Sequence, residues 1–357
     1  MASRDRRLPD EETRHITAVR DNNGIYIVPF VLLMLVLWAT AVYHWLRTQD
    51  LLGMLLLGYL GLFFGLGVGG YIALPNRFRP YARKIVMFYV GTLLLVLALV
   101  TDHGNMQLEG LFFALLTGVA PFVVLHYFIA KLAAPLLIGR IWCGWACWYG
   151  MVFDMLPYPF SFYRRDKRLS WLRYVHFALS IGVVALLWFA LGFQSTTGRS
   201  GVYWFLISLG IYYVAGITLA MVLKDNRAFC KYICPISVPM KELARFSLVK
   251  VDGTAEGCPD KCEQCIEMCP MNIRIKDYLV NGKRVLSTEC VMCLTCLNVC
   301  PQNSLKLSLK LDVGGREFWD HDPTRGNKET VPNIAWVEEK PREEDPRQDR
   351  PKMTPRA

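Results

Sequence analysis

Twelve cysteines set the strongest constraint on this chain, because they are grouped, and grouped thiolates must converge in space. Eight lie in two runs. CPDKCEQCIEMCP carries Cys258, Cys262, Cys265 and Cys269; CVMCLTCLNVCP carries Cys290, Cys293, Cys296 and Cys300. The second spacing, C-x2-C-x2-C-x3-C-P, is that of bacterial two-cluster ferredoxins. There three close cysteines wrap one cluster and the fourth reaches the other. On that rule Cys258, Cys262, Cys265 and Cys300 hold one 4Fe–4S cluster, and Cys290, Cys293, Cys296 and Cys269 hold a second. The first run has one extra residue between its first two cysteines, which alters the loop around Cys258. Pro270 and Pro301 follow the crossing cysteines and turn the chain with fixed φ. Zinc gives no reason for two runs of four with trailing prolines. Disulfides belong to small secreted scaffolds, a compartment that nothing in this region suggests.

The remaining four cysteines form two C-x3-C pairs, Cys143 with Cys147 in RIWCGWACWYG and Cys230 with Cys234 in RAFCKYICPIS. Neither pair suffices for a cluster. Together they supply four ligands, and the economical reading is a third, membrane-proximal iron–sulfur cluster held between the ends of two helical hairpins. A 2Fe–2S centre on the same ligands and two pairs of structural thiols are the competing readings.

Over half of the chain is apolar. Six apolar runs fall at about 28–46, 51–74, 85–100, 111–138, 171–193 and 202–223. Most approach the roughly 20 residues that cross a bilayer as a helix. Residues 1–24 are charged and polar, unlike a cleavable signal peptide. Basic residues gather after the second run (Arg77, Arg79, Arg83, Lys84), after the fourth (Arg164, Arg165, Lys167, Arg168) and after the sixth (Lys224, Arg227, Lys231). The positive-inside rule then puts both termini and every cysteine group on the cytoplasmic side of a bacterial inner membrane. The net charge of +10 needs no nucleic-acid partner, since orientation and anionic lipid account for it. Gly61, Gly65 and Gly69 form a small-residue stripe suited to close helix packing, either internal or against a partner. Pro121 and Pro135 are expected to bend the fourth helix.

The expected organisation is therefore a cytoplasmic segment (1–24), a transmembrane α-helical bundle of about six helices (25–234), a C-terminal α+β two-cluster ferredoxin domain (235–313) and a polar, extended tail (314–357). Asn281–Gly282 is a hairpin signal, placing two small strands between the cysteine runs. Such a small domain relies on its clusters for folding energy. The tail carries Phe318, Trp319 and Trp336 among charges and reads as a partner-binding segment.

The motifs GRIWCGWACW, FCKYICP and the two terminal runs resemble the membrane-bound polyferredoxins related to the NapH family of periplasmic nitrate reduction. The likeness covers about residues 110–305. Similar modules occur in NosR, MauN and the CcoG copper reductases. The resemblance implies that Cys143, Cys147, Cys230 and Cys234 are the family's membrane cysteines. It further implies electrons taken from quinol or a related donor and passed to redox partner subunits in a membrane complex. Trp148 stands where the family usually has proline, and two N-terminal helices exceed the usual four. The sequence shows no flavin or nucleotide motif, so the chain reads as an electron-transfer subunit of an oxidoreductase complex rather than a complete enzyme. The alternatives are a cluster-dependent maturation or regulatory protein, or a structural subunit of a respiratory or photosynthetic assembly.

Intramembrane ionisable residues are functional candidates. His44, His126 and His176 are expected at three depths, which disfavours a bis-histidine haem. His176, near the cysteine side, is a candidate proton relay beside a quinone. Trp142, Trp145 and Trp148 are expected either to belt the interface or to shield a cluster.

Overall fold

The computed structural model describes residues 27–100, 105–118, 121–158, 169–193, 198–254, 262, 264–315 and 317. Cys258, the segment 1–24, the basic residues 164–168 and nearly all of the tail lie outside these residues.

Five helices are long and apolar enough to cross a membrane: α1 (Val28–Thr48), α2 (Leu51–Ala73), α3 (Arg79–Leu99), α7 (Leu172–Ala190) and α8 (Ser200–Leu223). A sixth span arises if α5 (Val123–Ile138) and α6 (Ile141–Phe153), bent by 103°, count as one. The short helix α4 (Leu108–Thr117) precedes them. Glycine decides the breaks here. Gly118 (φ 64°) ends α4, so the expected continuous fourth helix is two. Gly139 (φ 65°) makes the sharp turn into α6. Pro135 instead follows a π-helical stretch, Phe128–Ala133. Such a stretch absorbs the amide hydrogen bond that proline cannot make.

The glycine stripe of α2 faces α1. A Cβ on Gly61 would lie 2.6 Å from the Trp38 ring, and one on Gly65 would strike Met34. The stripe is therefore an internal seam.

After α8 come α9 (Ala228–Tyr232) and α10 (Ser237–Ala244), then the cysteine-rich part. That part has strand β1 (Val249–Gly253), helices α11 (Gln264–Glu267), α12 (Ile275–Val280) and α13 (Thr295–Val299), and strand β2 (Leu305–Leu309). The strands pair antiparallel, Val249 opposite Leu309 and Gly253 opposite Leu305, and bracket the cysteine runs.

The Asn281–Gly282 hairpin does not form. Ile275, Tyr278 and Leu279 follow helical spacing and are all buried. Gly282 (φ 61°) closes α12: its N–H bonds the Leu279 carbonyl and that of Lys283 bonds the Tyr278 carbonyl. This is the Schellman arrangement, which needs the same left-handed glycine that a hairpin turn does.

The start of the expected tail is tied down. Gly314 and Gly315 donate to the carbonyls of Arg245 and Leu286 at 2.7 and 2.9 Å. Thr288 donates its N–H to Glu317 at 2.8 Å.

Candidate functional site

The cysteines gather in two places, built differently. Around the second run, one cavity is lined by Cys269, Cys290, Cys293 and Cys296, with Val251, Ile273 and other apolar side chains. Met292 (φ 50°) and Leu294 (φ 58°) are both left-handed. Each costs of order 1–2 kcal/mol for a non-glycine residue, and the strain curls the loop around the cavity. Burial pushes the Cys290 thiol up to about 12. Burial and the neighbouring Cys293 push Cys269 up to about 11. Thiolates there need a compensating positive charge, which bound iron supplies on displacing the protons. Among the described residues no three His, Cys, Asp or Glu side chains are placed to hold a single metal ion. An apolar cavity lined by four cysteines has the ligand chemistry that a 4Fe–4S cluster requires. Cys265 and Cys300 pack against the same core, and Cys262 is half-buried.

The membrane-proximal site joins distant residues. Cys143, Cys147, Cys230 and Cys234 all pack on one core cluster in the bundle. Arg227 is the tie between the two hairpins. It donates to the Cys143 carbonyl at 3.1 Å and to Cys230 Sγ at 3.8 Å. It also grips Asp154 through two contacts of 2.5 and 2.7 Å. Arg83 completes the knot, bonding Asp154 and the Gly144 carbonyl, each at 2.7 Å. Lys131, 5% exposed, lies with its ammonium 4.5 Å from the Trp142 ring centroid. No carboxylate among the described residues pairs with it. Buried cations are costly unless compensated, and four cysteine thiolates around iron would carry the matching negative charge.

The two sites abut. Gly144 lies between Cys143 and Cys147, and a Cβ there would strike the Val291 carbonyl and lie 3.3 Å from the Cys293 amide. Only glycine lets the two backbones approach this closely. Trp145 donates its indole N–H to the Met292 carbonyl at 2.8 Å. Beside this contact Glu289, fully buried, receives Arg140, Arg173 and Lys241 at 2.8, 3.0 and 3.2 Å. Three cations from the helical part thus converge on the residue preceding Cys290. The tryptophans line the cysteine sites: Trp148 is 3% exposed, Trp145 bridges to the second run and Trp142 lies under Lys131.

The histidines are engaged separately. His44 pairs with Asp50 at 3.2 Å. His126 packs beside Trp142 and Trp148. His176 reaches the Ile233 carbonyl at 2.8 Å and the Tyr212 hydroxyl at 3.1 Å. Tyr212 bonds Glu109, in the first turn of α4.

A family model described as a 4Fe-4S binding domain matches residues 120–169 and 202–244, which contain both C-x3-C pairs. An uncharacterized protein of Methanocaldococcus jannaschii is 25% identical over 61% of this chain and 84% of its own. YccM of Escherichia coli, which carries a provisional electron-transport name, is 26% identical over 59% of this chain and 63% of its own. The ferredoxin-type protein NapH of Haemophilus influenzae is 24% identical over 55% of this chain and 69% of its own. No solved structure matches. The class that these findings support is a NapH-like membrane polyferredoxin, an iron–sulfur protein of electron transfer.

Proposed function

We propose that the chain relays electrons between the membrane quinone pool and a partner redox complex through three clusters in a fixed order. The membrane-proximal cluster, on Cys143, Cys147, Cys230 and Cys234, exchanges electrons with quinol. The cluster on Cys269, Cys290, Cys293 and Cys296 comes next. The cluster on Cys258, Cys262, Cys265 and Cys300 faces the partner. The observation that carries this order is the contact of Gly144 and Trp145 with the backbone of Val291, Met292 and Cys293. It brings the two sulfur-lined sites together through a backbone approach at Gly144 and one indole hydrogen bond, the closeness that short-range electron transfer requires. Basic residues next to the cysteine groups support a cytoplasmic placement for all three.

Quinol oxidation by anaerobic, oxidised protein tests this. A quinol analogue should bleach the cluster absorbance, with the partner acting as final acceptor. Reduction by dithionite but not by any quinol would move the quinone site to another subunit.

A further inference from the structure

Glu109 lies in the middle of the bundle. Its Oε1 accepts from Ser180, midway along α7, at 2.7 Å, and from Tyr212, midway along α8, at 3.1 Å. Its Oε2 is buried and has no hydrogen-bond partner among the described residues. An acid at this depth is a functional group by default, because burying it without purpose is costly. The chain of contacts continues from Tyr212 to His176 Nε2 and from Nδ1 to the Ile233 carbonyl, one residue before Cys234.

The hydrogens in this chain can be counted. A carbonyl only accepts, so His176 Nδ1 carries a hydrogen. Tyr212 has one hydroxyl hydrogen for two neighbours. Both of its contacts are satisfied in two arrangements. In one, Glu109 is a carboxylate accepting from Tyr212, and an imidazolium Nε2–H donates to the Tyr212 oxygen. In the other, a neutral Glu109 donates to the Tyr212 oxygen, and Tyr212 donates to the bare Nε2 of a neutral imidazole. They differ by one proton passed through the Tyr212 hydroxyl. We propose that Glu109, Tyr212 and His176 form a buried proton relay in which Glu109 is the base that takes a proton released by quinol. This rests on the quinol reading above. Quinol loses two electrons and two protons to become quinone. Both electrons pass to the clusters; one proton goes to Glu109 and the other to water at the membrane surface. An electron arriving beside Cys234 attracts the relay proton to His176. That leaves Glu109 ionised, with Oε2 open to receive a proton. Among the described residues Tyr127, Ser180 and Tyr212 face Glu109, and the group of the relay that can carry a positive charge is His176.

The test uses intact, cluster-loaded protein and the variants E109Q and Y212F, each checked for wild-type iron content. A quinol analogue should reduce their clusters roughly a hundredfold more slowly than wild type, the usual scale of a lost general base. Dithionite, which delivers electrons without protons, should reduce all three proteins alike. Infrared difference spectra of dithionite reduction should show a carboxyl band lost in wild type and no such change in E109Q or Y212F. Wild-type quinol rates in both variants, or an infrared change that survives in E109Q, would overturn the relay. Should quinol fail to reduce even wild type, the quinol reading falls, and the infrared change alone decides whether the relay exists.

Discussion

The two sulfur-lined regions answer the same demand by opposite means. Around Cys290, Cys293 and Cys296, three cysteines in seven residues share a loop whose own backbone strain points it inward. Cys269 is added from the preceding run. In the membrane-proximal region the cysteines stand in pairs from separate hairpins, and nothing local brings them together. Buried ion pairs do so instead, with Arg227 and Arg83 on Asp154. A run-built site carries its geometry in its spacing, and a pair-built site borrows it from tertiary packing. The second should be the more fragile.

The largest expected effect breaks that difference open. Replacing Arg227 with Met leaves Asp154 paired with Arg83 alone and removes the tie to the Cys143 carbonyl and Cys230. Each buried charge-assisted hydrogen bond lost costs about 1.5–3 kcal/mol. The membrane-proximal cluster should be lost, lowering iron by about a third, while the spectra of the two run-built clusters persist. Loss of all clusters together would erase the distinction.

Glu289→Gln probes the seam between the regions. Arg140, Arg173 and Lys241 would keep their charges without the carboxylate, at about 3–5 kcal/mol. Limited proteolysis between α10 and β1 should accelerate, and iron content should fall less than in Arg227→Met. Gly144→Val acts on the same seam by volume. Overpacking costs roughly 1–3 kcal/mol, and the displaced Val291 carbonyl should weaken magnetic coupling between the two adjoining clusters at unchanged iron content.

The smallest effect belongs to the strand pair that closes the run-built part. Partial burial pushes the Asp312 carboxyl up, but hydrogen bonds from Arg284 and Lys250 outweigh it and hold the group below the ordinary carboxylate range. A depressed folded value stabilises the protein above the unfolded value of about 3.9 and loses that stabilisation as pH falls through the folded one. Because the pair is partly exposed, Asp312→Asn should cost under about 1 kcal/mol at neutral pH. Thermal unfolding of wild type and variant should converge in acid.

The same contrast explains what the sequence disclosed. Apolar length and the α2 glycine stripe are local patterns, and most of the apolar runs have a matching helix, the fourth being split at Gly118. Asn281–Gly282 misled because a left-handed glycine ends a helix as readily as it turns a hairpin. Glu109 was hidden because α4 starts inside the bundle, between Asn105, Gln107 and Tyr212, while its neighbours in sequence are polar. The Asp154 and Glu289 knots join residues far apart in the chain, where no spacing rule reaches. Gly314, Gly315 and Glu317 bond back to the cysteine-rich part, so a truncation meant to spare the clusters belongs after Glu317.

Iron and acid-labile sulfide per chain, measured on anaerobically purified protein, test the central claim most directly. Three clusters on twelve cysteines predict about twelve of each. About eight would mean that the pair-built region holds no cluster, and the relay would lose its membrane end.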